Sequence, residues 1–339
     1  MAKDARLIDI ANALNISITT VSRALNDKDD ISQKTKAAVL EVAEMLDYKP
    51  NRLAISLRKK KVFNVIGVVL PNVDHYFFST VLKGVMSKAH LNNYLVIVGE
   101  SSQDNQKEKE ILDEFISYGV SGILIAPTKY SSFEANFAYL KQQRVPCIFM
   151  DRTYDDHDTS FVRSDDYQGA FLAVTHLIEM GYQRIAHIKS SDGWSIGTER
   201  ARGYLQALKD HELAYPSEFI KSSDTATKED GYKLTAEYFN MDTPPDAIFT
   251  VNDDVAAGVY EYAHQHQIDI PTQLGVVGFS NSVLSSILIP KLTTIEQLGE
   301  QMGETAFDYF FQIKKDKRNS FQKTFESKLI IRESSLGLR

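Results

Sequence analysis

The sequence predicts an all-α helix-turn-helix head followed by an α/β body of two doubly wound parallel-sheet subdomains. Three observations predict it. The first fifty residues carry short apolar repeats at helical spacing; after Lys61 the texture turns abruptly to Val-, Ile- and Leu-rich runs alternating with amphipathic patterns; and charge divides at the same place. Residues 1–61 hold 12 Lys and Arg against 8 Asp and Glu, whereas the remainder holds 26 against 37, within a net charge of -7. A basic head on an acidic body suits a protein that meets a polyanion at one end only. At 339 residues the chain exceeds one ordinary core and fits two or three compact units.

In the head, Leu7, Ile10, Ala11 and Leu14 recur at helical spacing, and Asn15 is suited to the left-handed conformation that ends a helix. Ser17 is placed to cap a second helix from Ile18 to Leu25. That helix turns Val21, Ala24 and Leu25 inward and leaves Ile18, Thr19, Thr20, Ser22 and Arg23 facing solvent. Ser32 announces a third helix, with Val39, Leu40, Val42, Ala43 and Leu46 at spacings of three and four, which must stop before Pro50. By pattern alone, such a cluster serves a protein partner as well as a nucleic acid. Asn51 to Arg58 is a potential short helix capped by Asn51 and followed by Lys59-Lys60-Lys61, too short to hold in water alone.

In the body, Asn64 to Leu70, Tyr94 to Val98, Gly122 to Ile125 and Val145 to Met150 have the composition of buried parallel strands. Ile185 to Ile188, Ala247 to Val251 and Val276 to Phe279 repeat the theme. Ser79 to Asn92, Asp166 to Met180, Glu199 to His211 and Asp254 to His266 supply helical crossovers. Ligands of open parallel sheets sit beyond the carboxyl ends of the strands. The segments to inspect are therefore Pro71 to Phe78, Asp151-Arg152, Ser190 to Arg200, Asn252-Asp253 and Ser280-Asn281. The expected division is a helix-turn-helix head at 1–49, a hinge helix and linker at 50–61 and a body at 62–339. Within the body, the N-subdomain spans about 62–161 plus 292–322 and the C-subdomain about 162–291 plus 323–339.

Composition narrows the function classes. No apolar run approaches the roughly 18 residues a membrane span needs, and Asp4 and Asp9 stand where an export signal would be apolar. Cytoplasmic residence is the expectation. Cys147, the one cysteine, lies in the apolar run Val145 to Met150 and reads as a small buried hydrophobe. Gly278-Phe279-Ser280-Asn281-Ser282 lacks the last glycine of a nucleophile elbow, and His264 and His266 point to different helix faces. No enzyme, cofactor or metal is expected. A transport or chemotaxis binding protein would need an export signal and no head, the reverse of what this sequence shows.

Thr20-Val21-Ser22-Arg23-Ala24-Leu25-Asn26, followed by Tyr48-Lys49-Pro50-Asn51-Arg52-Leu53-Ala54, closely resembles the amino-terminal signature of the lac repressor (LacI/GalR) family. The likeness continues through Ile66-Gly67-Val68-Val69, Met150-Asp151-Arg152, Gly181-Tyr182-Gln183-Arg184-Ile185-Ala186, Val251-Asn252-Asp253, Gly275-Val276-Val277-Gly278-Phe279 and Pro290-Lys291-Leu292-Thr293-Thr294-Ile295. These blocks are similar to the family's periplasmic-binding-protein-like effector domain. The resemblance implies a homodimeric transcription regulator, read as a repressor, bound to double-stranded operator DNA and controlled by a small-molecule effector such as a sugar, sugar acid or sugar phosphate.

Matched positions imply that Ile18, Thr19 and Arg23 meet base edges in the major groove, while Ser17, Thr20, Ser22 and Asn26 hold phosphates. Arg6 stands where relatives have a capping Thr or Ser, which offers a phosphate contact instead. Leu7 either approaches bases or belongs to the core. In the hinge, capped by Asn51, the resemblance puts Ala54 in close contact and wedges Leu57 between base steps, against the alternative of a flexible basic linker.

In the body it implies that Phe77 and Phe78 wall the pocket, Asp151 and Asn252 hydrogen-bond the ligand, and Arg200 grips it. The alternatives are core for the phenylalanines, a loop cap for Asp151, and a surface network with Glu199 and Arg202 for Arg200. Ser280-Asn281 replaces an aspartate typical of sugar-binding relatives. The expectation drawn from that loss is a negatively charged ligand for an under-neutralised Arg200, with Trp194 either supplying stacking or packing its loop.

Overall fold

A computed structural model describes residues 5–48, 64–128, 130–153, 159–191, 195–214, 216–315 and 320–337. The chain divides into two compact units, Met1–Phe63 and Asn64–Arg339, taken in turn.

The first unit packs α1 (Leu7–Leu14), α2 (Ile18–Leu25) and α3 (Gln33–Met45) around Ile10, Val21 and Val39, all fully buried. Its boundaries follow local chemistry. Asn15 ends α1 at φ 52°, and the Ser17 and Ser32 hydroxyls accept the Thr20 and Thr35 amides as N-caps. Arg6 offers no side-chain cap to α1, but the Asp9 carboxylate accepts the Arg6 amide at 2.7 Å and so keeps the reciprocal half of a capping box.

The second unit contains two six-stranded sheets. In the first, β1 (Val65–Leu70) lies between β2 (Leu95–Glu100) and β3 (Ile123–Ile125). Beyond β3 come β4 (Cys147–Met150), β5 (Phe161–Ser164) and a late strand, β11 (Gln322–Phe325), all parallel. The second sheet repeats this order with β6 (Ile185–Ser190) between β7 (Ile220–Ser223) and β8 (Ala247–Thr250). β9 (Gly275–Phe279) and β10 (Thr293–Glu296) follow, and β12 (Lys328–Ile330) closes the edge antiparallel.

The chain passes between sheets after Ser164, after Glu296, and between Phe325 and Lys328. These crossings correct the expected borders: β10 belongs to the second sheet, while β5 and β11 belong to the first. Nothing in the apolar pattern of Thr293-Thr294-Ile295 says which sheet it joins. Cys147, expected inside, is half-buried as a residue, although burial of its sulfur pushes the thiol pKa up.

Each lobe holds one helix pair against its sheet by an exchange of glycines. α4 (Tyr76–Leu91) and α12 (Gly299–Lys315) approach so closely that a methyl group on Gly84 would strike the Glu300 carbonyl, and one on Gly303 the Val81 carbonyl. In the other lobe, α9 (Lys228–Phe239) and α10 (Asp253–Gln265) meet through Gly231 against Val255 and Gly258 against Lys228. Backbone cannot retreat as a flexible side chain can, so Gly84→Ala is expected to destabilise the body by about 1–3 kcal/mol. A lowered urea midpoint with an unchanged slope is the readout.

Candidate functional site

The exposed face of α2 is a short-chained, polar surface of the first unit. Ser17, Ile18, Thr19, Arg23 and Asn26 are exposed, while Thr20 and Ser22 are half-buried. Their short side chains let a helix approach another surface closely, and Arg23 supplies a planar donor fork. Local bonds already hold several of them: Ser17 with Thr20 at 2.8 Å, and the Asn26 amide on the Ser22 carbonyl at 2.7 Å. Arg6 is exposed beside Asp9, and Leu7 packs on the small core, matching its core alternative. The expected hinge residues Asn51, Ala54 and Leu57 lie outside the described residues, as does Trp194.

In the second unit, strand carboxyl ends from both sheets converge on a cleft. Backbone strain gathers there: Ser102, Gln103, Asp151, Ala226, Ser280, Asn281 and Leu298 all have positive φ without being glycine. Asp166, at the start of α7 (Asp166–Glu179), receives Arg200 Nε at 2.8 Å and Nη2 at 2.7 Å on one carboxylate oxygen. Arg200, from α8 (Ser195–Asp210), also donates to the Val251 carbonyl and lies 3.6 Å above the Phe279 ring centroid. It is therefore not the lone guanidinium expected from sequence. Nor does it join Arg202, which pairs with Glu199 on the surface.

A second pair faces it from the first lobe. Asp151 lies 3.8 Å from Arg152 Nε, and Arg152 donates to Gln103 and the Pro127 carbonyl while its guanidinium stands 5.6 Å over Phe78. Burial, reinforced by Asp166, raises the Asp151 carboxyl above its usual range against the pull of both arginines. His75, just before α4, meets the Asn252 amide across the cleft at 3.4 Å. Since Asn252 Nδ2 is a donor, His75 Nε2 accepts and its proton sits on Nδ1. Burial first, then Arg152 and Arg200, lower His75 to about 4, so the ring is neutral.

Several expected ligand groups are occupied by the protein itself. Asn252 caps α10 through its carbonyl and donates to Ala226, besides reaching His75. Ser280 donates to Gln297, and Asn281 is held between Glu296 and Arg332. Phe77 and Phe78 are buried in the lobe core, and Phe77 also borders a cavity of about 200 Å³ with Tyr76, Thr80, Ser280, Glu296 and Gln297. Among the described residues, the buried side-chain atoms without a partner include Asp151 Oδ1, His75 Nδ1, Ser190 Oγ, Ser282 Oγ and Gln297 Nε2. Sequence reasoning missed His75, Asp166 and Gln297. The first two lay inside or beside segments already singled out, whereas Gln297 sits on a crossing the sequence did not reveal. Among the described residues no cluster able to hold a metal is found, and no helix is long and apolar enough to cross a membrane.

A polar, close-approach helix in one unit and a two-lobed cleft with unmet hydrogen-bonding groups in the other suit a ligand-responsive nucleic-acid-binding protein. Comparison with known proteins agrees. Residues 6–51 match the bacterial regulatory proteins of the lacI family, and residues 174–335 match the periplasmic binding protein-like domain. The NTD biosynthesis operon regulator NtdR of Bacillus subtilis is 31% identical, over 96% of this chain and 98% of its own. The ribose operon repressor of Halalkalibacterium halodurans is 30% identical, over 97% of this chain and 96% of its own. A solved lac repressor dimer, bound to operator and the anti-inducer ONPF, matches with a TM-score of 0.86 at 25% identity, over 98% of this chain and all of its own. The chain belongs to the lacI family of bacterial regulatory proteins: it is a DNA-binding transcription regulator with an effector-binding domain, not an enzyme.

Two outcomes are expected. Asp166→Ala leaves a buried guanidinium uncompensated and should cost about 3–5 kcal/mol in chemical denaturation, whereas Asp166→Leu combined with Arg200→Met should recover most of that loss. An equal loss in the double variant would mean that Arg200 is not held by this pair. Separately, His75 and His187 both fall to about 4 through burial. The unfolded chain, titrating near ~6.5, then binds more protons than the folded one, so stability present above ~6.5 is lost as pH falls towards ~4. Replacing both rings with Gln should flatten that interval of the stability profile relative to the parent.

Proposed function

We propose that the chain is a cytoplasmic repressor that binds a near-palindromic operator as a homodimer and senses a neutral, polyhydroxylated molecule such as a sugar between its lobes. The unmet groups of the cleft carry the ligand reading. A carboxylate oxygen, an imidazole N–H, a hydroxyl and an amide N–H together suit hydroxyls, each of which both donates and accepts. The premise for an anionic ligand falls away, because Asp166 already answers Arg200. Asp151, Phe77, Phe78 and Asn252 remain the proposed frame of the pocket, with Arg200 shaping its floor, Ser280 its edge, and Asn281 the turn behind it. The ribose operon repressor among the relatives is consistent with a sugar.

Exposed apolar side chains support self-association. Leu91 at the end of α4 and Leu95 on the edge strand β2 are 73% and 67% exposed, and Ile287 and Ile289 of the second lobe are also exposed. Two-fold pairing would place two reading helices on two half-sites. Ile18, Thr19 and Arg23 are the proposed base readers, with Arg6, Ser17, Thr20, Ser22 and Asn26 on the backbone, Leu7 beneath, and Asn51, Ala54 and Leu57 in the hinge. Ligand binding that favours one arrangement of the lobes then alters operator affinity by linkage.

Arg23→Ala should lose roughly 1–3 kcal/mol of operator affinity and relax preference at one base pair per half-site. A binding profile identical to the parent's contradicts the assignment of α2. For the ligand, a thermal-shift panel of neutral sugars, sugar acids and sugar phosphates should show stabilisation by a neutral member. Stabilisation confined to anions overturns the neutral reading.

A further inference from the structure

We infer that Asp30 is a specificity-determining positioning residue of the DNA-reading head, holding Arg23 for a base and away from phosphates. The inference rests on α2 being the reading helix. Arg23 Nη2 lies 2.6 Å from Asp30 Oδ2, with the two side chains 49% and 52% exposed. Asp30 stands on the short loop between α2 and α3, and that loop is fixed. The Asp27 amide bonds the Ala24 carbonyl, the Lys28 amide the Arg23 carbonyl, and the Ile31 amide the Lys28 carbonyl. Asp27 also takes the largely buried Lys36 ammonium at 2.6 Å, and Ile31 packs on the head core. The Asp30 carboxylate is thereby presented from a braced position, and hydrogen bonding to Arg23 keeps it ionised.

An exposed ion pair contributes little to folding. Its effect on recognition is larger. Nη2 carries two protons: one can stay on Asp30 while the other, with a proton of Nη1, meets guanine O6 and N7. A phosphate could accept the same two protons, but it brings a negative charge up to the Asp30 carboxylate, whereas the guanine edge is uncharged and does not. The pair therefore penalises generic duplex more than the correct base, and specificity is that difference.

The test uses full-length protein, the duplex it enriches from a randomised pool, and a scrambled duplex of the same length. For Asp30→Asn, binding to the scrambled duplex should tighten and its log–log salt slope steepen by about 0.9, one added phosphate contact. The ratio of enriched to scrambled affinity should fall roughly tenfold, and Asp30→Glu should restore most of it. Unchanged helicity of the variants separates these effects from misfolding. An unaltered ratio and slope in Asp30→Asn, while Arg23→Ala still relaxes base preference, overturns this inference alone. If Arg23→Ala also leaves the profile unchanged, the reading of α2 fails, and the role of Asp30 with it.

Discussion

The body depends on the pairing of Arg200 with Asp166. Parallel sheets place the carboxyl ends of their strands on one edge, and two such edges facing one another bury whatever the following residues carry. An isolated guanidinium or carboxylate there would be heavily penalised by loss of water. Asp166 follows the first crossing between sheets, Arg200 comes from the next helix, and Phe279 lies beneath the guanidinium at the end of β9. Three elements of the second lobe are thus fixed around one charge. The facing pair, Asp151 with Arg152, is less complete, and an oxygen of Asp151 has no partner among the described residues. Rigidity on one wall and unmet capacity on the other is a sound division of labour for a site that must be both shaped and receptive.

β1 joins this cleft to the rest of the chain. Its first residue follows the segment leading from the reading head, and within a few residues of its end the chain reaches His75, whose ring touches Asn252 of the other lobe. A strand buried in a sheet transmits displacement well because its ladder bonds and close packing leave few soft modes. The same sheet carries the exposed Leu95 edge on β2, directly paired with β1. One strand therefore borders both the cleft and the proposed subunit contact.

Local features of this fold are legible in the sequence, and long-range ones are not. Asn15, Ser17 and Ser32 behave as caps because capping is decided within a few residues. Most inner strands stand out because burial on both faces demands continuous apolar runs, but Phe161–Ser164 and Thr293–Glu296, also inner, carry Arg, Ser and Thr and do not. Ile220–Ser223 and Gln322–Phe325 were missed because edge strands need no such run and carry Lys, Ser and Gln instead. Of the residues following inner strands that the sequence marks for a cleft, Phe77 and Ser280 border a cavity. Their partners stayed hidden: Asp166 meets Arg200 from 34 positions away, and Ser280 meets Gln297 only because β10 joins the second sheet. Loss of an aspartate at Ser280 suggested an unbalanced positive charge, when another helix had already balanced it.

The two arginines on which the reading turns show how surroundings decide what an ion pair does. Around Arg200, water is excluded, so separating the charges is prohibitive and the pair acts as a fixed part of the wall. Around Arg23, solvent screens both partners and the same chemistry becomes exchangeable. A regulator needs both kinds. The sensing cleft must keep its shape when empty, or selectivity among similar effectors would dissolve into rearrangement. The reader must surrender contacts readily, because it samples countless wrong sequences before the right one and would be trapped by any arginine free to seize the nearest phosphate. An acidic body works in the same direction, since it discourages the remainder of the chain from lying along the duplex and leaves recognition to the small basic unit.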